Sequence, residues 1–346
     1  MPAIDAEFVI RCLACDAPME ALCTGREDGY FSCRHCCLVR AWPPPTAEAL
    51  KSYYADSYEV DRENYIRGVN QNGENLLGLL TQRSGVGRLL EVGCSWGGFL
   101  ALAESRGWKV AGVELSPEPA RWAREREALE VHLGTLESSP FVGCGQFDVV
   151  VAWHVIEHLI DPLEFLRQAY SCLKPGGILA LRTPNVASLI ARMNGRAWEW
   201  FGAPAHLTLF SPAALDRTVQ RAGFQIQEIR TRRGDANNPW FEFIRGIAVR
   251  ASAGARIKKF LGWHANNPAL RTRGDVHVRG SRRMQTLAQL NRVANVAFFF
   301  LYPAELLLNR FGGGSEIFLL GRRVAHQRES EAANGKTAMK ITAEKR

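Results

Sequence analysis

The sequence predicts an α/β fold built on a doubly wound, mainly parallel sheet. Three observations predict it. The apolar run Leu89–Val92 meets a glycine turn, Gly93-Cys94-Ser95-Trp96-Gly97-Gly98, and a short amphipathic run follows. A second apolar run, Trp108–Val113, then ends in a carboxylate, Glu114. A third run, Phe147–Trp153, is apolar almost throughout, as a strand covered on both faces must be. Together they describe a βαβ unit with a ligand site at the carboxyl edge of the sheet.

The residue types in the turn have physical reasons. Gly93 and Gly97 let the backbone bend sharply and approach a ligand with no Cβ in the way. Glu114 lies 21 residues beyond Gly93, at the end of the second strand, where a carboxylate can accept hydrogen bonds from ribose hydroxyls. Glu91 precedes the glycines, where it would repel a pyrophosphate and suits a cationic ligand. Glu91-x-Gly93-x-Ser95-x-Gly97 resembles the first motif of the class I S-adenosylmethionine (SAM) methyltransferases, with Ser95 where the middle glycine is usual. The stretch also fits a dinucleotide pattern loosely, as Gly93-x-Ser95-x-x-Gly98. The carboxylate at position 91 favours SAM over NAD.

Upstream, Cys12-x2-Cys15 and Cys33-x2-Cys36 stand 17 residues apart, the spacing of a four-thiolate zinc site. Two knuckles would complete one closed, structural tetrahedron on Cys12, Cys15, Cys33 and Cys36. A segment as short as 1–42 cannot bury a core of its own, so the metal would supply folding free energy. Four cysteines clustered by chance is the alternative, and Cys37 is a competing ligand at a position where such knuckles often carry glycine. Pro43-Pro44-Pro45 reads as a stiff linker, and Thr46 as the cap of a helix running through Leu50 and Tyr54. Tyr53, Tyr54 and Tyr58 follow, then a helix near Glu74–Gln82. In the family such a segment covers the methionine end of SAM, although packing explains the tyrosines equally well.

Beyond Glu114 the pattern gives a helix over Pro117–Glu127, a strand over Glu130–Leu133, and the loop Gly134-Thr135-Leu136-Glu137. His154-Val155-Ile156-Glu157-His158-Leu159-Ile160-Asp161-Pro162 follows the run Phe147–Trp153. Leu173-Lys174-Pro175-Gly176-Gly177 then closes a helix and turns into a strand over Ile178–Thr183. With Thr183-Pro184-Asn185, His206-Leu207-x-x-Phe210-Ser211 and Ala222-Gly223-Phe224, this ordered set is similar to the ubiquinone-biosynthesis-like branch of SAM methyltransferases. The resemblance covers about Tyr53–Arg230 and a final strand, Glu316–Gly321. It implies a Rossmann-like seven-stranded sheet and a SAM site on Glu91, Gly93, Cys94, Ser95, Gly97, Glu114, Leu115, Thr135, Leu136 and Trp153, with Thr135 and Leu136 at the adenine. The zinc module joined to such a core also resembles bacterial methyltransferases of nucleotide-linked sugars and other secondary-metabolite or cell-surface carbohydrate precursors. Their longer members carry a further C-terminal domain that is not seen here.

Methyl transfer needs alignment of the acceptor with the sulfur–methyl bond, and a base where the acceptor is a hydroxyl. His154 and His158 follow a strand end at the ligand edge, four apart, with Glu157 between them. Three readings stand: one histidine is the base, both are structural, or both bind metal with Glu157. His154 directly follows the strand and is the expected base. His158, paired with Glu157, should have a raised pKa and be the poorer base. His206 is the second candidate, and Trp198 and Trp200 wall the acceptor pocket or pack in the core.

The expected domain division is a zinc-binding module at 1–42, a SAM-binding core at 46–230, a helical insertion at 231–312, the last core strand at 313–323 and a disordered tail at 324–346. Net charge is +8, yet Phe224–Arg283 alone holds 13 Lys and Arg against 4 Asp and Glu, so the basic excess is a local patch. The insertion ends in an apolar helix over 284–310, too short and interrupted to span a bilayer. It reads as a cap on the core, an oligomer interface or a peripheral membrane contact. Residues 1–30 hold no sustained apolar run, so a cytoplasmic protein with reduced cysteines is expected. Three function classes follow: a small-molecule methyltransferase, favoured; an RNA methyltransferase using the zinc module and basic insertion, disfavoured because aromatic interleaving is missing; and a non-catalytic SAM-binding scaffold.

Overall fold

The computed structural model describes residues 9–22, 29–56, 62–195, 198, 200–202, 205–232 and 313–324. The expected insertion beyond Arg232, its helix over 284–310 and the tail from 325 onward lie outside the described residues.

The elements in chain order are β1 (Glu20–Leu22), β2 (Gly29–Ser32), β3 (Val39–Trp42), α1 (Ala47–Asp56), α2 (Arg62–Ser84), β4 (Arg88–Val92), α3 (Gly98–Ser105), β5 (Lys109–Glu114), α4 (Pro117–Arg126), β6 (Val131–Leu133), β7 (Phe147–Trp153), α5 (Pro162–Cys172), β8 (Leu173–Pro184), α6 (Leu189–Asn194), β9 (Thr208–Leu209), α7 (Pro212–Arg221), β10 (Phe224–Arg232) and β11 (Glu316–Arg323). A 3-10 turn, Ile156–His158, lies between β7 and α5.

The main sheet has seven strands in the order β10-β11-β8-β7-β4-β5-β6. Pairings among β8, β7, β4, β5 and β6 are parallel, and β11 runs against both neighbours. The expected doubly wound, mainly parallel, Rossmann-like sheet is therefore present. Strand alternation sends side chains to two apolar layers. Leu89, Val149, Val151 and Ala180 meet Leu76, Leu80, Phe99 and Ala120 on one face. Leu90, Val150, Ala152 and Leu181 meet Phe165, Leu166, Leu215 and Val219 on the other. Two helices of the second layer start on side-chain caps: Asp161 accepts from Glu164 N at 3.0 Å, and Ser211 accepts from Ala214 N at 3.0 Å. Each has proline just inside, where a missing N–H costs nothing.

Two boundaries differ from expectation. Helix α2 begins at Arg62 rather than near Glu74, because Val69 also packs into the layer with Leu76 and Leu80. Strand β8 begins at Leu173, which pairs with Phe147. Lys174–Gly177 then forms an irregularity before Ile178 pairs with Val149, and Lys174 Nζ reaches both carboxylate oxygens of Asp148 at 2.8 Å.

A second, four-stranded sheet has the order β1-β2-β3-β9. Its fourth strand comes from the segment after β8, with Val39 opposite Leu209 and Arg40 opposite Thr208. The cysteine module is thus hydrogen-bonded to a segment far along the chain.

Candidate active site

Strand β4 sits between β5 and β7, so successive connections leave it in opposite directions. That crevice at the carboxyl ends is where ligands bind in such sheets. The loop after β4 turns on three left-handed residues, Gly93 (φ 76), Ser95 (φ 47) and Gly97 (φ 78). Serine therefore adopts the conformation that the usual middle glycine would take. At Gly93 a Cβ would lie 2.5 Å from Val155 Cγ2, so the glycine loop and the loop after β7 touch. At Gly97 it would lie 2.7 Å from Leu129 Cδ1.

Glu114 is 8% exposed, and its two oxygens accept from Ser95 N at 2.8 Å and Ser116 N at 2.7 Å. These bonds fix the carboxylate against both loops, and each oxygen keeps a further lone pair. Burial raises its pKa against the pull of those amides. Glu91 is 3% exposed, and its Oε2 has no hydrogen-bond partner among the described residues. Burial, reinforced by Glu114, pushes its pKa up to about 8. A buried carboxylate oxygen left unpaired beside a glycine cradle fits a cationic ligand, and SAM is cationic at its sulfonium and its ammonium. Tyr65, which the sequence reading passed over, donates to Cys94 O at 3.0 Å and ties α2 over the loop.

The other expected cofactor residues lie around this crevice in different settings. Cys94 is buried and Leu115 half-buried. Thr135 is exposed, in a turn closed by Ser138, and Leu136 is buried. Trp153 packs against Phe99, and the Arg182 guanidinium lies 4.9 Å from the centre of its ring.

The histidines are arranged otherwise than expected. His154 takes a left-handed conformation, φ 51, at the end of β7. Its ring lies between two carboxylates, Nδ1 at 3.1 Å from Glu157 Oε1 and Nε2 at 3.2 Å from Glu316 Oε1. Burial opposes charge on this ring, but Glu316 and Glu157 outweigh it and raise the pKa to about 10. The pKa expectation for the two rings is therefore reversed: Glu157 lies closer to His154, at 3.1 Å, than to His158, at 4.0 Å, and burial outweighs it at His158. At neutral pH both His154 nitrogens carry protons and neither has a lone pair to offer.

The network continues inward. Glu316 also accepts from Arg182, which is 1% exposed, and Glu157 Oε2 accepts from Thr183 Oγ1 at 2.9 Å. His154 and Arg182 hold the Glu316 carboxyl down at about 2 against the effect of burial. Glu316 and Arg182 were missed by the sequence reading. The one signal available was a carboxylate and a guanidinium bordering apolar runs, Glu316 before Ile317–Leu320 and Arg182 after Ile178–Leu181.

His158 donates from Nδ1 to Ala205 O at 2.7 Å, which fixes the tautomer, and its side chain is 13% exposed. Burial lowers its pKa despite Glu157. His206 lies against it, ring centres 5.0 Å apart, and burial with His158 nearby lowers its pKa to about 3. Trp200 stacks on His154 at 5.6 Å and meets His206 at 4.9 Å, whereas Trp198 is 1% exposed and packs in the core. The three expected histidines are thus brought together with Trp200, as one charged ring and two neutral ones.

Away from the crevice, Cys12, Cys15, Cys33 and Cys36 present four sulfurs within 4.8 Å of one another. Their closest separations are 3.5, 3.5 and 3.8 Å. Sulfurs around one tetrahedral zinc lie about 3.8 Å apart, so the donor set and spacing fit. Cys37 stands outside the cluster, exposed, at φ 57, the left-handed position where glycine is usual.

A methyltransferase-domain family model matches residues 62–229. The ubiquinone biosynthesis O-methyltransferase of Xanthomonas axonopodis pv. citri (strain 306) is 30% identical over 170 residues, covering 44% of this chain and 67% of that protein. The malonyl-[acyl-carrier protein] O-methyltransferase of Serratia marcescens is 30% identical over 162 residues, covering 46% and 62%. Among solved structures, geranyl diphosphate C-methyltransferase from Streptomyces coelicolor A3(2) aligns with a TM-score of 0.45 at 16% identity, over 81% of this chain and 100% of its own. From the sheet order, the glycine loop with its two carboxylates, the family model and the ubiquinone biosynthesis O-methyltransferase relative, the chain belongs to the class I SAM-dependent methyltransferases and is an enzyme of that type.

Proposed function

We propose that the enzyme methylates an oxygen of a small-molecule acceptor, of the kind represented by a nucleotide-linked sugar, a cell-surface glycan or a lipid- or quinone-type precursor. SAM, when bound, supplies a methyl group on a good leaving group. In this reading Glu91 pairs with the ammonium of its methionyl end, and Glu114 accepts from the ribose hydroxyls. Gly93, Cys94, Ser95 and Gly97 line the cradle, with Leu115, Thr135, Leu136 and Trp153 at its rim. His158, Trp200 and His206 wall the acceptor side, where the β7 loop meets the glycine loop.

The observation that carries the oxygen acceptor is the state of His158. Its Nδ1–H is committed to Ala205 O, and Nε2 lies 4.0 Å from Glu157 Oε1, beyond hydrogen-bond reach, so a neutral ring keeps a lone pair for a hydroxyl proton. His206 is the alternative base, weaker because its pKa is lower. The charged His154 orients Glu157 and the β7 loop instead. The relatives named for O-methylation agree with an oxygen acceptor. A structural zinc on Cys12, Cys15, Cys33 and Cys36 completes the reading.

The test incubates the protein with methyl-labelled SAM and fractionated extract, with and without nuclease. Label in a nuclease-resistant small-molecule fraction, lost in His158→Ala, is the expected result. Label in RNA would replace this reading with a nucleic-acid acceptor, and SAM binding with no labelled product in any fraction would leave a scaffold.

A further inference from the structure

We infer that Tyr30, in the cysteine module, is a positioning residue for the acceptor wall of the active site. This rests on the reading above that Trp200 and His206 face the acceptor. Tyr30 lies in β2, three residues before Cys33, and is 2% exposed. Its hydroxyl donates to His206 O at 2.9 Å and accepts from Gly202 N at 3.1 Å. One buried hydroxyl thus bridges both ends of the turn from Gly202 to His206. Its ring packs edge-on against Phe201 at 5.1 Å, next in sequence to Trp200.

The surrounding bonds all connect the same two segments. Ala41 N donates to Leu207 O at 2.8 Å, β3 pairs with β9, and Ser211 Oγ donates to Cys36 O. From the other side Leu207 N donates to Glu157 O at 2.8 Å, so this segment also rests on the histidine turn. A backbone held at His206 O and Leu207 N leaves the His206 ring little freedom between Trp200 and His158. Within this clamp the Tyr30 hydroxyl bonds both Gly202 N and His206 O, and its removal leaves the β3–β9 backbone pairing in place. It acts through the backbone of Gly202 and His206, touching no reacting atom.

The experiment compares the full-length protein with Tyr30→Phe, which keeps the ring and removes both hydrogen bonds. Amide hydrogen exchange over 200–207 should accelerate about tenfold, the size expected for losing ordinary hydrogen bonds. Exchange over 89–116, SAM affinity and the unfolding midpoint should stay at wild-type values. Ring-nitrogen NMR signals of His206 and His158 should shift, while those of His35 and His132 stay in place. A purely structural role would move the midpoint and exchange everywhere together, and leave the two histidines no more affected than the rest. Wild-type exchange and unshifted His206 signals in Tyr30→Phe would overturn the inference. So would a Gly202 amide found unprotected in the wild type, a result that needs no variant. Failure of the acceptor reading shows separately, as label transfer that survives His158→Ala.

Discussion

Glu316 Oε1, at the first residue of the last strand, lies 3.2 Å from His154 Nε2, at the end of β7. The contact joins residues 162 positions apart and adds a second carboxylate to a ring that Glu157 already holds at Nδ1, favouring its charged form. Glu316→Gln should therefore do two things. It leaves the buried Arg182 guanidinium without its carboxylate, at a cost of about 3–5 kcal/mol in denaturant unfolding. It also lowers the pKa of His154, which titration of that ring by NMR would show. An unchanged His154 titration would mean that Glu157 alone holds the proton.

The same network sets a pH window for stability. The folded pKa of Glu316 is depressed to about 2, so its contribution is present above the ordinary 4.5 and is lost as pH falls through 2. That of His154 is raised to about 10, so its contribution is complete below the ordinary 6.5 and is lost as pH rises through 10. Unfolding free energy from this network should be greatest between pH 4.5 and 6.5. In His154→Ala the alkaline decline should flatten, as thermal melts across pH would show.

This network explains which parts of the site the sequence could reveal. The β4–Gly93–α3–β5 unit is local: its turn residues, apolar runs and terminal carboxylate lie within one short stretch, and all appear where expected. His154, His158 and His206 were identifiable as polar residues at a strand end or in a lid. Their charge states were not, because these depend on Glu316, which reaches the site only through the antiparallel β11–β8 ladder that sets it opposite Pro184. Glu157 was visible too, but whether it serves His154 or His158 depends on the 3-10 turn, which places it beside the former. Strand β9 has only two residues, too short for any periodicity, so its pairing with β3 had no sequence signal.

His158→Ala should lower the initial rate of methyl transfer by about 10²–10⁴-fold with little change in SAM affinity. His154→Ala should instead act mainly through stability, because it leaves the Glu157 and Glu316 carboxylates facing each other. Calorimetric SAM titrations and label-transfer rates on both variants separate the cases. A turnover loss confined to His154→Ala, in a fully folded variant, would restore His154 as the base.

Elemental analysis should find one zinc per chain, and Cys15→Ser should release it. Because β3 is paired with β9 and Ser211 bonds Cys36 O, the loss should extend beyond residues 9–42 and raise amide exchange over 207–211 as well. The SAM loop, tied instead to β5 through Glu114, should remain protected. A metal-free protein with a protected N-terminal sheet would remove zinc from the structure.

Glu91 gives the sharpest test of the cofactor site. Burial and Glu114 raise its pKa to about 8, so in the ligand-free protein it is largely protonated at neutral pH. A bound ammonium favours the ionised form, so binding of SAM should release a proton from this group. Affinity should then rise as pH increases toward 8 and level off above it. Glu91→Gln removes the charge while keeping the shape. It should weaken SAM by about 10- to 100-fold, the range for a hydrogen bond to a charged partner, and abolish the pH dependence. The same change spares the ligand-free protein a poorly solvated carboxylate, so its melting temperature above pH 8 should rise or stay level. Calorimetry in two buffers of different ionisation enthalpy counts the released proton directly. Equal heats in both buffers, with affinity flat from pH 6 to 9, would show that Glu91 does not pair with the cofactor's charge.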